Sequence, residues 1–499
     1  MDDRELRELR EEIDALDGRL AALFVERMAL SARIGEYKRA RGLPVRDEAR
    51  ERELLARIRR LAGDRADEIE ALYRTILSLS RQAQQKKLRC GLLGRRLGHS
   101  YSPAIHARLG AYEYRLYERE PEELEGFLRG GGFDALNVTI PFKQAALPFC
   151  ARLSETARRV GSVNTLVREP DGSLSGYNTD YDGFLHLFRL SGLRAEGKKA
   201  LVLGSGGASL SVQAALRALG AEPAVVSRRG ETNYVNLYDR HPDAALLVNA
   251  TPVGMHPENG ARLVDLRRLG ALEGVFDLIY NPAKTALLLD AERLGLPAYN
   301  GLPMLVAQAA ASSALFTGEK IEAREVARIT EELDRQMKNV LLIGMPGSGK
   351  TTLGALLAER LGRPFLDADR ELAARAGKDV PTIFREEGEE GFRRREHEQL
   401  AELTKSGGAV IAVGGGAVTR EDNLDLLRQN SRVVWLRRSL SLLPTEGRPL
   451  SQSRPLRELW REREPLYRAA AERIVDNSGT PEEGVRRIME ALGYEDPRS

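Results

Sequence analysis

The first candidate for chemistry is a glycine-rich loop, GMPGSGKTT, which follows the apolar run NVLLI. Glycines at this spacing let backbone N–H groups surround phosphate oxygens, the lysine adds a cation, and the threonine hydroxyl can bind Mg²⁺. The strand pattern before the loop and the helical pattern TLGALLAERLG after it favour this use over a coincidental turn. A nucleoside triphosphate is therefore expected at Gly344, Gly347, Gly349, Lys350 and Thr351.

A second glycine-rich turn, ALVLGSGGAS, follows another apolar run. Such a turn suits a pyrophosphate at a helix N-terminus, although a tight structural turn has the same composition. The next strand pattern ends at Ser227 and is followed by Arg228 and Arg229. NAD sites place an acidic residue here, whereas arginines suit a 2′-phosphate, so we expect NADP. The pyrophosphate contacts are predicted at Gly204, Gly206 and Gly207.

The N-terminal block carries an arginine in an apolar stripe. Apolar residues recur at steps of three and four, which is typical of a helical seam, at Leu6, Leu9, Ile13, Leu16, Leu20, Leu23, Leu30 and Ile34. Arg27 continues this rhythm, and a cation there is costly unless an anion or an internal partner meets it. Lys38 lies three turns further along the same face. Further polar residues cluster on the following helices: Asp47, Arg50, Glu51, Ser80 and Gln84.

The elements that must position these residues fall into three blocks. Residues 1–87 contain no strand pattern and predict three helices. Residues 88–336 alternate short apolar runs with helical segments, which predicts an α/β unit with a Rossmann-type lobe. Residues 337–499 open on the phosphate loop and predict a second α/β unit.

Composition excludes several classes of protein. The length of 499 residues is typical of about three domains, and the net charge of +3 gives no broad basic surface for nucleic acid or a membrane. Cys90 and Cys150 fit no metal or redox spacing and indicate isolated thiols in a reducing compartment. The charged start MDDRELRELREE excludes a secretory signal, and no run of about 18 apolar residues predicts a membrane span. We therefore expect a cytoplasmic protein.

The helical block resembles the all-helical chorismate mutases along its whole length. The resemblance implies an intertwined dimer that rearranges the dicarboxylate chorismate to prephenate without a cofactor. It implies catalysis by positioning and charge, with Arg27 on a carboxylate and with Lys38 and Gln84 on the breaking ether oxygen. The other implied substrate contacts are Arg10, Asp47, Arg50, Glu51 and Ser80.

The spacing of two arginines adds an independent constraint. Arg10 and Arg27 are seventeen positions apart, which at about 1.5 Å per residue is about 25 Å along a helix. No small dicarboxylate spans that distance, so Arg10 should serve the site of a partner chain. We therefore expect a homodimer formed through the helical block.

The middle block resembles shikimate dehydrogenase in motif content, order and spacing, through GHSYSPAIH, NVTIPFK, GSVNT, NTDYDGF, NATPVGM, YNPAKTALL and NGLPMLVAQAA. The resemblance implies NADPH-dependent reduction of 3-dehydroshikimate to shikimate. Lys143 and Asp180 would be the catalytic pair, because a proton must reach the nascent alkoxide. The implied substrate contacts are Ser100, Ser102, Thr139, Asn164, Tyr280 and Gln308, and the implied cofactor contacts include Ala208 and Gly301. The expected lobes are 88–190 plus 300–336 for substrate and 191–299 for NADP.

The C-terminal block resembles shikimate kinase through FLDADRELAARAG, EEGFRRREHE, AVGGGAV, EGRPL and REREPLYR. The resemblance makes shikimate the acceptor of a phosphoryl group from ATP. It implies that Asp367 supports Mg²⁺ beside Thr351 and that Asp369 accepts the hydroxyl proton. Lys350 and Arg448, the latter in a lid over ATP, would stabilise the transferred charge. The implied shikimate contacts are Asp369, Arg393, Gly415 and Arg463.

One departure from the kinase pattern concerns the lid. The stretch from Trp435 to Arg463 is short, and its segment SLLPTEG lacks the second arginine that often lies near the adenine. Its loss would weaken ATP binding unless Arg437 or Arg438 replaces it.

The three blocks together predict a trifunctional enzyme of aromatic biosynthesis, with two alternatives. The helical block could be a non-catalytic dimerisation or ligand-sensing module, although the presence of both Lys38 and Gln84 argues against pure sensing. The other blocks could be a quinate dehydrogenase and a kinase for a different polyol. Comparing shikimate with quinate, and NADP with NAD, would separate these possibilities.

Overall fold

The computed structural model describes residues 3–41, 43–84, 88–98, 100–443 and 455–495. A helical unit comes first, and two α/β units with three sheets follow it. This order confirms the predicted fold class. Over the described ranges, no helix is both long enough and apolar enough to cross a membrane.

The helical unit consists of α1 (Asp3–Ala40), α2 (Glu48–Ala62) and α3 (Ala66–Gln84). At 38 residues α1 is about 57 Å long, and both of its neighbours are much shorter. Every residue from 4 to 23 is exposed, and α1 contacts α3 through its C-terminal half. The described residues of this unit that are buried are Ser31, Gly35, Leu77 and Ser80. Three helices with so little buried surface have almost no core of their own.

The middle unit begins with a six-stranded sheet. Its strands are β1 (Arg89–Gly94), β2 (Glu113–Glu118), β3 (Ala135–Val138), β4 (Arg152–Leu153), β5 (Thr165–Arg168) and β6 (Leu174–Tyr177). They lie in the order β2-β1-β3-β5-β6-β4, and β5 runs antiparallel to β3 and β6. The helices that accompany this sheet are α4 (Ser102–Leu109), α5 (Leu124–Gly130), α6 (Phe142–Ala145), α7 (Glu155–Val160) and α8 (Asp180–Ser191).

A second, fully parallel sheet follows. Its strands are β7 (Lys199–Leu203), β8 (Glu222–Val226), β9 (Leu246–Asn249), β10 (Gly274–Asp277) and β11 (Ala298–Tyr299). In the order β11-β10-β9-β7-β8, the chain passes from β7 to β8 on one side and then returns to β9 on the other side of β7. The strand order therefore reverses at the end of β7, and dinucleotides bind at this switch point in such sheets. The helices are α9 (Gly207–Ala218), α10 (Leu237–Arg240) and α11 (Ala286–Arg293). α12 (Leu302–Thr317) then returns to pack on α8 and α4, and α13 (Ala323–Met337) packs on α12.

The C-terminal unit contains the third sheet, which is also parallel. Its strands are β12 (Asn339–Ile343), β13 (Phe365–Asp367), β14 (Val410–Ala412), β15 (Ser431–Arg437) and β16 (Arg473–Asp476), in the order β13-β14-β12-β15-β16. β12 is central and buried along its length, so the loop after it opens at the carboxyl edge of the sheet. The helices are α14 (Lys350–Leu361), α15 (Ala368–Ala376), α16 (Val380–Leu403), α17 (Glu421–Gln429), and two more at Leu456–Ala470 and Pro481–Leu492.

Hydrogen bonds hold the junction between the middle and C-terminal units. Arg363 donates to the carbonyls of Arg335 at 2.6 Å and Lys338 at 3.0 Å, at the C-terminal end of α13. A cation at this end also complements the helix dipole. The last helix of the middle unit is therefore tied directly to the C-terminal unit.

Candidate active sites

A lysine and a carboxylate meet where the two lobes of the middle unit face each other. Lys143 lies on α6, and its Nζ is 2.5 Å from Oδ2 of Asp180, the first residue of α8. Their side chains are 16% and 9% exposed, which leaves the pair accessible but largely shielded from solvent. Gly207, at the start of α9, approaches so closely that a Cβ there would lie 3.3 Å from Cβ of Lys143. The ion pair therefore borders the glycine-rich turn of the other lobe.

A buried amide holds this pair in place. Asn164 Nδ2 donates to Asp180 Oδ1 at 2.9 Å and reaches Gln308 Oε1 at 3.4 Å. Its Oδ1 accepts from the backbone N–H of Thr179 at 2.7 Å, so both ends of the amide are used. The structure thus brings four predicted residues, Lys143, Asp180, Asn164 and Gln308, into one hydrogen-bonded group.

Other predicted substrate contacts lie around α4. Ser100 Oγ accepts from the backbone N–H of Ser102, which begins α4, at 3.2 Å. The rings of Tyr101 and Tyr280 meet edge to face at 5.9 Å, and burial raises the pKa of Tyr280. Thr139 lies between β3 and α6, where its carbonyl accepts from Phe142 N at 2.9 Å. The two serines thus flank Tyr101, on which Tyr280 packs.

The turn after β7 has the form that a pyrophosphate requires. Gly206 is the extended N-cap of α9, and Ala208 lies in the first turn of that helix. Gly204 O accepts from Ser209 Oγ at 2.7 Å, which ties the turn to the helix. Gly301 is placed elsewhere, beneath the loop after β10, where a Cβ would lie 2.0 Å from the carbonyl oxygen of Leu278. Close backbone packing is what Gly301 provides in the structure.

The end of β8 offers two cations. Ser227 begins a tight turn in which Gly230 N donates to Ser227 O at 3.2 Å. Arg228 and Arg229 within this turn are exposed, and neither is seen in an ion pair with any described carboxylate. Two guanidinium groups at this position fit a 2′-phosphate.

The phosphate loop of the C-terminal unit joins β12 to α14. Gly349 has φ 94°, and a Cβ there would lie 2.5 Å from Nδ2 of Asn477. Lys350 Nζ donates to the carbonyls of Gly344 at 2.9 Å and Met345 at 3.0 Å, so the lysine folds over the loop. Gly347 also has a positive φ, 84°.

Two oxygen donors beside the loop fit a magnesium ion. Thr351 Oγ1 donates to Asp367 Oδ2 at 2.7 Å, and both line the same cavity of about 600 Å³. Mg²⁺ commonly takes one or two protein oxygens and completes its octahedron with water and phosphate. Water and phosphate oxygens would supply the remaining ligands.

The residues predicted to bind the phosphoryl acceptor lie on the far side of this cavity. Arg393 Nη1 donates to Glu396 Oε2 at 2.6 Å on α16, and the arginine side chain is only 9% exposed. Burial raises the pKa of Glu396, and the Arg393 guanidinium opposes this rise. A Cβ on Gly414 would lie 3.0 Å from Asp369 Oδ1 and 2.6 Å from Glu396 Oε1, so both carboxylates border one glycine.

The remaining residues predicted to bind the phosphoryl acceptor, Gly415 and Arg463, contact each other. Arg463 Nη1 donates to Gly415 O at 3.2 Å, and the Tyr467 hydroxyl donates to the same oxygen. Arg463 is 3% exposed, and its Nε has no partner in the described part of the chain. A buried arginine with an unused donor is suited to bind an anionic group of a ligand.

The lid arginine predicted at Arg448 lies outside the described residues. Of the two candidates to replace a second lid arginine, Arg437 is exposed, whereas Arg438 lines the cavity. Arg438 Nη1 lies 3.5 Å from Gly347 O, and its buried Nε has no partner among the described atoms. Arg438 is therefore the better placed of the two.

In the helical unit, α3 supplies the partner of Arg27. Arg27 Nη1 donates to Ser80 Oγ, and Lys38 Nζ donates to Val45 O at 2.7 Å. Gln84 ends α3, and its side chain lies outside what the structure describes. Arg27 and Ser80 are thus brought together as the resemblance implies.

The other predicted mutase residues are divided between two places. Asp47 caps α2 by accepting from Arg50 N at 3.0 Å, and Glu51 pairs with Arg81 at 2.7 Å. Arg10 lies in the exposed half of α1, about 25 Å from Arg27 along the helix.

The sequence did not predict the residues that hold the site residues in position. Glu396 was not predicted, although its i,i+3 spacing from Arg393 on a helix was a signal. Ser312 and Thr165 share a 2.8 Å hydrogen bond behind Asn164, and they come from segments too distant in sequence to be paired by pattern.

Comparison with known proteins shows which families the parts of the chain resemble. The profile described as Shikimate kinase matches residues 346–493, Chorismate mutase type II matches 9–85, and Shikimate dehydrogenase substrate binding domain matches 92–166. The shikimate dehydrogenase (NADP(+)) of Methanopyrus kandleri is 37% identical over 262 residues, covering 46% of this chain and 90% of that protein. The shikimate kinase of Thiobacillus denitrificans is 44% identical over 164 residues, covering 30% of this chain and 87% of that protein.

Among solved structures, a chorismate mutase/shikimate 5-dehydrogenase fusion protein from Clostridium acetobutylicum is 34% identical, with a TM-score of 0.48. The match covers 50% of this chain and 98% of that one.

The fold and the sites define a dinucleotide-dependent reductase joined to a P-loop phosphotransferase. The chain belongs to the shikimate dehydrogenase family through its middle unit and to the shikimate kinase family through its C-terminal unit, and a chorismate mutase type II domain precedes them. It is a multifunctional enzyme of the shikimate pathway, as predicted. NADP, ATP and Mg²⁺ are the cofactors that these domains imply.

Proposed function

We propose that each chain reduces 3-dehydroshikimate to shikimate with NADPH and then phosphorylates shikimate to shikimate 3-phosphate with ATP and Mg²⁺. As a homodimer, it also rearranges chorismate to prephenate. The observation that carries the reductase assignment is the Lys143–Asp180 pair, which lies against Gly207 at the start of α9.

In the reductase, the reduced dinucleotide supplies the hydride. Lys143 donates a proton to the ring oxygen as the ketone becomes an alkoxide, and Asp180 orients the ammonium group. Asn164 holds Asp180 at 2.9 Å, which fixes the direction of the pair. Gly206 and Gly207 leave room for the pyrophosphate at the start of α9.

Arg228 and Arg229 should set the preference for NADPH. Changing both to alanine removes two exposed guanidinium groups that can bind a 2′-phosphate, so the KM for NADPH is expected to rise by about tenfold or more. The KM for NADH should stay nearly unchanged, because NADH lacks that phosphate. Steady-state kinetics with both cofactors measure this, and an equal loss with both would contradict the assignment.

In the kinase, ATP would supply the phosphoryl group, and Thr351 and Asp367 would hold Mg²⁺. Asp369 takes the proton of the shikimate hydroxyl, while Lys350 stabilises charge on the phosphates. Arg393 and Arg463 bind the acceptor from the other side of the cavity, whose volume of about 600 Å³ suits a small polyol beside a triphosphate. Arg438, whose Nη1 lies 3.5 Å from Gly347 O, is placed to support the phosphate loop.

The dimer proposal rests on the exposed face of α1. The seam from Leu6 to Leu23 is between 37% and 62% exposed, and every residue from 4 to 23 of α1 is exposed. A helix about 30 Å long with a leucine seam and no intrachain cover is stable only when another surface buries the seam. A second copy supplies a matching leucine seam, and it would bring the partner's Arg10 toward the site at Arg27.

Arg10 and Arg27 should complement each other in mixed dimers. Homodimers of Arg10→Ala or Arg27→Ala have every mutase site damaged, whereas a mixed dimer has one site with both lesions and one with neither. Co-refolding equal amounts should therefore restore roughly a quarter of the wild-type sites. Reductase activity is the internal control. No recovery despite subunit exchange, verified by mass, would contradict the shared site.

The proposal as a whole is tested by assaying the purified chain for all three reactions. Shikimate should be preferred to quinate, and NADP to NAD. Chorismate binding without turnover would instead favour the alternative that the helical unit only senses a ligand or dimerises.

A further inference from the structure

We propose that the kinase unit supports the substrate site of the reductase, with Asn430 as a positioning residue that holds the loop carrying Tyr280. This inference rests on the proposed reductase function and on the predicted contact of Tyr280 with shikimate. The loop in question, residues 278–284, follows β10 and ends at the kinase unit; we call it the 278–284 loop.

Two hydrogen bonds join this loop to the kinase. The backbone N–H of Ala283 donates to Oδ1 of Asn430 at 2.8 Å, and the N–H of Lys284 donates to the carbonyl of Gln429 at 2.8 Å. Ala283 is 6% exposed and Asn430 is 3% exposed, so the first of these bonds is shielded from water. A buried N–H without an acceptor is costly, which makes the Asn430 oxygen important to the conformation of the loop.

The reductase holds the rest of the 278–284 loop by hydrogen bonds. A change at Ala283 is therefore passed along the loop to Tyr280. Ile279 O accepts from Gly301 N at 3.0 Å, and Asn281 O accepts from His256 N at 3.0 Å. Ala283 O accepts from Asn300 Nδ2 at 2.9 Å, so the backbone at Ala283 is held on both sides. Tyr280 lies within this fixed segment and packs on Tyr101, the residue between Ser100 and Ser102.

Asn430 is itself rigidly held in the kinase. Its Nδ2 donates to Lys405 O at 2.8 Å, and its carbonyl accepts from Asn339 N at 2.8 Å. Asn339 begins β12, the strand that leads into the phosphate loop. Asn430 therefore joins the reductase loop, through its side-chain oxygen, to the central strand of the kinase, through its backbone carbonyl.

The experiment compares three variants of the full chain. Asn430→Ala removes the acceptor for Ala283, and the KM for shikimate is expected to rise roughly three- to tenfold with a smaller change in kcat. Asn430→Asp keeps an acceptor oxygen but loses the donor to Lys405, so the reductase KM should stay within about twofold. Asp425→Ala is the matched control, because Asp425 pairs with Arg293 at the same junction without touching the loop.

Kinase turnover and thermal unfolding are measured on every sample. An unchanged shikimate KM in Asn430→Ala overturns the proposal, whether or not the kinase of that variant still folds. A KM raised equally by Asp425→Ala also overturns it, because the effect would then belong to the junction in general.

A double variant separates this inference from the proposed function. Tyr280→Phe should raise the shikimate KM, and adding Asn430→Ala should raise it by less than Asn430→Ala does alone, because both act through one contact. If Tyr280→Phe has no effect, the assigned role of Tyr280 fails, and the inference fails with it. If it has an effect and the two changes are independent, only the inference is overturned.

Discussion

Replacing Lys143 with alanine is expected to lower the kcat of shikimate oxidation by roughly 100- to 10,000-fold, the range that a positioned acid or base contributes. Lys143 Nζ is 2.5 Å from Asp180, and the stem of this lysine borders Gly207 at the start of α9. Without it, the hydroxyl proton loses its proposed acceptor. Steady-state rates with saturating NADP and shikimate measure the loss.

NADP binding is the internal control for this prediction. Only the stem of Lys143 contacts Gly207, so titration with NADP should give a dissociation constant within about threefold of the wild type. Lys198→Ala is a matched control, because Lys198 also forms a 2.5 Å ion pair, with Glu273, on the same unit but away from the pair at Asp180. Near-normal kcat in Lys143→Ala would show that another group transfers the proton.

The residues that define the reactions could be predicted from sequence because they occur in local motifs. The phosphate loop is contiguous, and its place after a central parallel strand follows from the order of apolar runs. Lys143 and Asp180 are 37 positions apart, and nothing in their spacing brings them together. Their pairing was predicted from the resemblance to a family, and the structure places them in contact.

Contacts between units lay beyond what the sequence could reveal. Ala283 and Asn430 are 147 positions apart in different units, and neither belongs to a periodic pattern or a charged motif. Their pairing depends on the shapes of two folded units. Within the helical unit, the seam pattern gave only the place of Arg27 on α1, and it was the resemblance to a family that put Arg27 and Ser80 in one site.

Asp369→Asn and Lys350→Ala should each reduce phosphoryl transfer by about 100-fold or more, while reductase activity in the same samples stays near wild type. Asparagine at position 369 cannot take the hydroxyl proton, and loss of Lys350 removes a cation from the triphosphate. Both residues line the kinase cavity, and Asn430 is not part of its lining. Coupled assays of ADP release and of NADPH formation measure the two activities.

Asp379→Asn is the matched control for Asp369→Asn. Asp379 caps α16 by accepting from Thr382 N at 2.9 Å, and asparagine caps helices about as well as aspartate. Removal of a carboxylate charge there should therefore leave phosphoryl transfer nearly unchanged.

If Asp369→Asn retained most of its kinase activity, another group would deprotonate the hydroxyl. Glu396 would be the next residue to test, because burial raises its pKa and because it borders Gly414, as Asp369 does. Loss of reductase activity in a folded Asp369→Asn chain would mean that the kinase cavity itself, and not only the junction at Asn430, controls the reductase.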